Sequence, residues 1–329
     1  MRKPILITGA TGFLGTHLVG QLQQQGAGPL RLLCRGASRW DNDPAVEVVR
    51  GDITSAADVD RAVSGTSSVY HLAGFVSRHP KDNELLYRTH VAGTRHVCDA
   101  SLKHGVERVV LASSSGTIAV SRQPVIHDET ASYKHEVLGQ WAYYLSKIYA
   151  EKAAFDYSQR KQLPLVVVNP ALLLGPGDDR NSSTGDLALF LDGQIMSMPS
   201  GGMSFVDARD CAAGVIAAMQ RGRLGERYLL GGPNWTFQRI IEHVAKISGV
   251  RPPFMEASVK ASLLMAPLLR RTMPLVGRRF DLDDATIEMS GMFWYCDSSK
   301  ASKELDFRIR DPLETLRDTV YDLRARRKA

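Results

Sequence analysis

The chain has 329 residues, of which 44% are hydrophobic, 7% aromatic and 23% charged, enough apolar content to bury a large core. Its 41 Lys and Arg against 35 Asp and Glu leave a net charge of +6. The excess gathers in Arg324, Arg326, Arg327 and Lys328 without aromatic interleaving or a nucleic-acid motif, so no nucleic-acid partner is expected.

No apolar run approaches the roughly 18 residues of a spanning helix. The most lipophilic stretch, residues 261–276, is broken by Pro267, Arg270, Arg271 and Pro274. It reads as a lid or core helix, with contact to a membrane surface as the lesser reading. Cysteines stand alone at 34, 98, 211 and 296, in no metal-ligand spacing, so four reduced thiols, no metal and a cytoplasmic protein are expected. An apolar strand begins almost at residue 1, so no signal peptide is expected.

Pro4-Ile5-Leu6-Ile7 is a short apolar run that predicts a buried strand over Ile5–Thr8. It runs into Thr8-Gly9-Ala10-Thr11-Gly12-Phe13-Leu14-Gly15, after which helical apolar spacing begins, predicting a helix near 13–25. Glycines at a strand-to-helix junction suit a dinucleotide pyrophosphate. Gly9 can make the tight turn, Gly12 lets backbone approach the phosphates, and Gly15 lets helix and strand pack closely.

Further strands are predicted at Leu30–Cys34, Val46–Arg50, Val69–Leu72, Val109–Ala112 and Leu165–Val168, with a seventh near Tyr228–Leu230. Helical patterns lie near 55–64, 84–104, 141–160 and 208–221. This alternation predicts an α/β fold, a Rossmann-like doubly wound parallel sheet with helices on both faces. Right-handed crossovers place the ligand at the carboxyl ends of the strands. Gly9–Gly15, Arg35, Asp52, Ala73-Gly74 and Ser113–Ser115 all fall there. Segments 173–204 and 232–329 read as a smaller, interleaved substrate lobe, and 1–172 with 205–231 as the dinucleotide domain.

The end of the second strand discriminates between nicotinamide cofactors. An acid there binds the ribose 2′-hydroxyl of NAD, and an arginine the 2′-phosphate of NADP. The chain reads Cys34-Arg35-Gly36-Ala37-Ser38-Arg39, with no acid before Asp41. Arg35 is therefore expected to favour NADP(H) over NAD(H), helped by Ser38 and Arg39.

Taken together, the glycine motif, Gly51-Asp52-Ile53, His71-Leu72-Ala73-Gly74, Ser113-Ser114-Ser115, Tyr143-x-x-x-Lys147, Asn169-Pro170 through Gly175-Pro176-Gly177-Asp178, and Phe205-Val206-Asp207-Ala208-Arg209-Asp210 resemble the extended short-chain dehydrogenase/reductase family. The resemblance covers residues 1 to about 230 and is nearest the dihydroflavonol-reductase-like branch. It implies that Thr11, Phe13, Leu14, Ile53, Leu72, Ala73, Gly74, Asn169 and Pro170 join the three glycines at the cofactor, and that Asp52 accepts from the adenine amino group. The reading of Asp52 as a turn residue that caps the next helix stays open.

Hydride transfer to a carbonyl needs a proton donor for the forming alkoxide, and a free tyrosine at pKa about 10 is a poor one. Tyr143 and Lys147 are i, i+4 on one helix face, so the ammonium is expected to lower the tyrosine pKa. By resemblance, Lys147 also holds the nicotinamide ribose. A serine hydroxyl positions the substrate oxygen: Ser114 against reductase-type relatives, Ser115 against epimerase-type ones. His90 stands where many relatives carry an asparagine relay, and reads either as a relay or as a packing residue. His71 and His79 read as scaffold.

The expected reaction is NADPH-dependent reduction of a small hydrophobic carbonyl compound, the pocket drawing on Phe75, Val76, Leu174, Met203, Phe205, Met292 and Phe293. The alternatives are a nucleotide-sugar epimerase or dehydratase retaining its NAD, with Arg251, Arg270, Arg271, Arg278 and Arg279 for the diphosphate, and a non-catalytic NADP-binding sensor. A homodimer is implied by resemblance only.

Overall fold

The structure, a computed structural model, describes residues 2–276, 280 and 282–327. Arg278, Arg279 and Lys328 lie outside the described residues. The strands are β1 (Ile5–Thr8), β2 (Leu30–Cys34), β3 (Val46–Arg50), β4 (Ser68–His71), β5 (Arg108–Ala112), β6 (Ile126–His127), β7 (Leu165–Pro170), β8 (Leu172–Leu174), β9 (Gly202–Asp207), β10 (Arg227–Leu230), β11 (Asn234–Thr236) and β12 (Phe293–Cys296). Seven of them form one parallel sheet in the order β3-β2-β1-β4-β5-β7-β10. The order reverses between β1 and β4, which opens a crevice there at the carboxyl edge.

The central strands carry apolar residues on both faces because helices cover both. On one side Leu18, Val19 and Leu22 of the helix Phe13–Gln24 join Val215 and Ala218 of the helix Ala208–Arg221 in one core. On the other, Val59, Val63, Val97 and Ala154 pack against Leu6, Val69 and Val109.

β6, β8, β9, β11 and β12 form a second, five-stranded sheet beyond the carboxyl edge. There β9 pairs in parallel with β8 and β12 and antiparallel with β11. Phe205 and Trp235 pack with Ile240, Val244, Leu316 and Val320 from two flanking helices. The stretch 205–231, expected to serve the large sheet, is split: β9 belongs to the small sheet and β10 ends the large one. The assignment of all of 232–329 to the small lobe also needs correction. Ala301, Leu305 and Phe307 bury themselves in the large-sheet core with Val215 and Leu230, because β10 would otherwise leave that end of the sheet uncovered.

Candidate active site

The glycine loop is built by contacts that leave no room for side chains. Gly9 has φ +74°, and a Cβ there would sit 2.6 Å from backbone atoms of Leu72 and Ala73 at the exit of β4. The Gly12 N–H closes the turn on the Gly9 carbonyl at 3.0 Å. A Cβ on Gly15 would lie 2.2 Å from the same carbonyl, so the helix can approach the strand only with glycine there. Gly12 caps the helix Phe13–Gln24 with no side-chain hydrogen bond, which leaves the leading N–H groups for an anion. A cradle of this kind, closed to side chains and ending on uncapped N–H donors, fits a dinucleotide pyrophosphate.

At the end of β2, Arg35 is exposed and has no ion-pair partner among the described residues. Asp41 is already engaged. It accepts from the Ser38 hydroxyl at 2.6 Å and from Arg50 at 2.5 Å, contacts that hold its carboxyl below the usual carboxylate range, the Ser38 bonds contributing most. Ser38 is thus committed to Asp41, and Arg39 stacks on Trp40 while reaching Asp179 at 3.4 Å. Of the three residues read for the phosphate, Arg35 alone is uncommitted.

Tyr143 and Lys147 project from the helix Ala142–Lys161 toward Ser114 and Ser115 in the turn after β5. Burial pushes the Tyr143 phenol up to about 12, opposed by a hydrogen bond with the Ser114 side chain. The expected lowering by Lys147 is not seen, because the Lys147 ammonium donates to the Ala112 carbonyl at 3.0 Å. Burial lowers Lys147 to about 8, and the carboxylate of Glu151, one turn further along the helix, opposes that fall.

Glu151 is fully buried and gathers donors. Ser113 donates to it at 2.5 Å, Asn169 at 3.0 Å and Tyr133 at 3.2 Å, and Arg227 pairs with it at 3.2 Å. Tyr143, Lys147 and Glu151 therefore form one stripe at i, i+4 and i+8.

His90 lies on a π-helical turn, Arg88–Ala92, that interrupts the predicted helix over 84–104. The Phe75 N–H donates to its Nε2 at 3.3 Å, so the ring proton belongs on Nδ1, 2.8 Å from the Ser146 hydroxyl. That hydroxyl donates to the Tyr143 carbonyl at 2.7 Å. Burial holds His90 well below the usual histidine value. Both ring nitrogens are used to tie the Phe75 loop to the helix Ala142–Lys161, which favours the packing reading over the relay. His71 is likewise scaffold, fixed between Thr8 at 2.7 Å and Thr94 at 3.1 Å.

Ser114, Ser115, Tyr143 and Lys147 open on one cavity of about 1340 Å³ that runs from the glycine loop to the small lobe. Its far walls are apolar, including Leu174, Phe190, Met198, Ile240 and Met265. Arg78, in the loop after β4, closes one side. It grips Asp186 with two bonds of 3.0 Å and reaches Thr286 at 2.9 Å.

The fold and the sequence have counterparts. Residues 5–231 match the model of the NAD dependent epimerase/dehydratase family. The chain belongs to that family. A Synechocystis sp. protein named "Putative dihydroflavonol 4-reductase" is 34% identical, the match covering 98% of this chain and 94% of the relative. Sterol demethylase protein B of Methylococcus capsulatus is 32% identical over 91% of this chain and 92% of its own. The crystal structure of gox2253 superimposes with a TM-score of 0.84 at 29% identity, covering 98% of both chains. This member of the epimerase/dehydratase family is an NAD(P)-dependent oxidoreductase.

Within this family member the cavity wall holds Gly9, Thr11, Gly12, Phe13, Leu14, Gly15, Leu72, Gly74, Ser114, Ser115, Tyr143, Lys147 and Pro170. Five of the residues read as cofactor contacts lie off it: Arg35, Asp52, Ile53, Ala73 and Asn169. The Asp52 carboxylate accepts from the Thr54 N–H and hydroxyl, both at 2.8 Å, within the turn, while Ser55 and not Asp52 caps the next helix. Asn169 is fully buried behind the serine turn, donating to the Ser114 carbonyl at 3.0 Å as well as to Glu151. Of the expected pocket residues, Phe75, Val76, Leu174 and Met203 line the cavity. Phe205 is instead buried in the small-lobe core, and Met292 packs on Trp294 behind the wall; Phe293, in β12, also falls outside it. Glu151, Arg78 and Asp186 went unread. A lone acid in a helix is ordinarily solvated, and Arg78 meets a partner 108 positions away.

Proposed function

We propose that the protein is an NADPH-dependent reductase of a small hydrophobic ketone or aldehyde. The observation that carries this reading is the half-buried Tyr143 phenol, hydrogen-bonded with the Ser114 side chain, on the wall of an apolar cavity of about 1340 Å³. The bound nicotinamide supplies the hydride. Tyr143 donates its proton to the carbonyl oxygen as the alkoxide forms, because an alkoxide is a stronger base than even a phenolate whose phenol is raised to about 12. Ser114 orients that oxygen by hydrogen bonding. The Lys147 ammonium, which donates to the Ala112 carbonyl, would hold the nicotinamide ribose with its remaining N–H donors. Arg35 would hold the 2′-phosphate of NADPH.

Two features weigh against a nucleotide-sugar reaction. Arg270 donates to the Leu282 carbonyl and Asp284, and neither Arg251 nor Arg271 borders the cavity, so none of these arginines offers itself to a diphosphate. The names of the relatives, one for a dihydroflavonol and one for a sterol, support a ring-bearing hydrophobic substrate.

The test is turnover of NADPH against NADH on a panel of hydrophobic ketones and aldehydes, by the wild type and Arg35→Ala. NADPH should be preferred, and Arg35→Ala should weaken it by about tenfold or more without harming NADH. Tightly co-purified NAD(H) with no carbonyl consumed would sink the proposal in favour of epimerase or dehydratase chemistry.

A further inference from the structure

We infer that the helix Val259–Thr272 is a surface anchor that lays the mouth of the cavity against an anionic lipid bilayer. The helix is apolar on two sides. Its inner side buries Ala266 against Phe280 and Ile287, and Val259, Met265 and Leu269 border the cavity. Its outer side has no such cover: Leu264 is 80% exposed and Leu268 53%, with Phe254 ahead of the helix at 94% and Leu275 after it at 83%. An apolar ridge left in water beside basic side chains is the pattern of a helix that lies at a lipid boundary.

Charge says which occupant the outer side fits. Lys260, Leu264, Leu268 and Arg271 follow at i, i+4, i+8 and i+11, one stripe with a cation at each end. Both cations are exposed and unpaired among the described residues. Residues 251–276 carry Arg251, Lys260, Arg270 and Arg271 against Glu256 alone. Long basic side chains that flank an apolar ridge can bury their stems while reaching lipid phosphates. A second copy of the chain fits worse, because a two-fold contact through this ridge sets Lys260 and Arg271 against their own counterparts. The arrangement would let a lipophilic substrate pass from the bilayer to the cavity beneath the same helix. The anchoring itself stands whether or not the reductase reading does.

The experiment is flotation of the full chain with phosphatidylcholine vesicles, with and without phosphatidylserine. The wild type should float with the anionic vesicles at low salt. The double substitution Leu264→Glu with Leu268→Glu should abolish flotation, and Lys260→Gln with Arg271→Gln should cut binding to anionic vesicles by about thirtyfold. Neither pair lines the cavity, and an unchanged melting temperature confirms the fold. Leu264→Cys bearing an environment-sensitive fluorophore gives a second reading on a nearly native chain, since all four natural cysteines are buried; its emission should shift to the blue on anionic vesicles. Failure of the wild type to float on either vesicle, or light scattering that shows a dimer dissociated by the Leu264 and Leu268 substitutions, would overturn the inference.

Discussion

Glu151 brings a negative charge into a site whose proposed chemistry uses a positive one. It sits one turn beyond Lys147 and opposes the burial that drags that lysine down to about 8. Lys147 is an ammonium below that pH and neutral above it, so turnover should decline on the alkaline side with an apparent pKa near 8. Glu151→Gln removes the support. Lys147 should then lose its proton at lower pH, and the alkaline limb of kcat should move toward neutrality. Glu151→Asp should restore part of it. A residue that only fills space would lower activity without moving the limb, so the pH profile tests the positioning role. The Tyr-x-x-x-Lys spacing was legible because both members lie on one helical face. Glu151 was not, since only the folded chain delivers Ser113, Asn169, Tyr133 and Arg227 to it. Tyr143 teaches a related point. Spacing gives proximity to a lysine, but the direction of a pKa depends on where that ammonium points, and here it points at the Ala112 carbonyl.

Among the elements, the strands of the large sheet read most clearly. β1, β2 and β3 fall where alternating apolar runs and glycine punctuation place them. The small-sheet strands escaped, since β6, β8 and β11 have two or three residues and show no usable periodicity. The π-turn at Arg88–Ala92 also escaped, because one widened turn inside a helical stretch leaves its apolar spacing nearly intact. The junction of β1 with its helix gives the sharpest prediction at this scale. Gly15→Ala places a methyl group 2.2 Å from the Gly9 carbonyl, a backbone atom that cannot swing aside. The helix must move off the strand, at a cost of about 3 kcal/mol. Denaturant unfolding should show that loss, and affinity for NADPH should fall with it, because the helix N-terminus is displaced from the phosphates. Unchanged stability would mean that the junction is looser than it is drawn.

For the whole molecule, the contact of interest is the one that joins the loop after β4 to the small lobe. Arg78 holds Asp186 and Thr286 across the cavity. The ion pair is about a third to a half exposed, so its removal should cost under about 1 kcal/mol of stability. Its effect on function should be larger. Arg78→Ala should raise KM for the carbonyl substrate several-fold and leave NADPH affinity unchanged, since the glycine loop is untouched. Equal losses in both would place Arg78 at the cofactor instead.

The return of the chain to the large sheet has a consequence for how the protein is made. β10, the last strand of that sheet, is not reached until residue 227, and Ala301, Leu305 and Phe307 close the core beneath it. A nascent chain on the ribosome can hold β1 to β5 long before it owns the residues that seal them. The nucleotide half is therefore the first to begin folding and among the last to finish. The interval exposes apolar sheet to whatever surrounds the ribosome, and a premature stop anywhere before Phe307 leaves neither half complete.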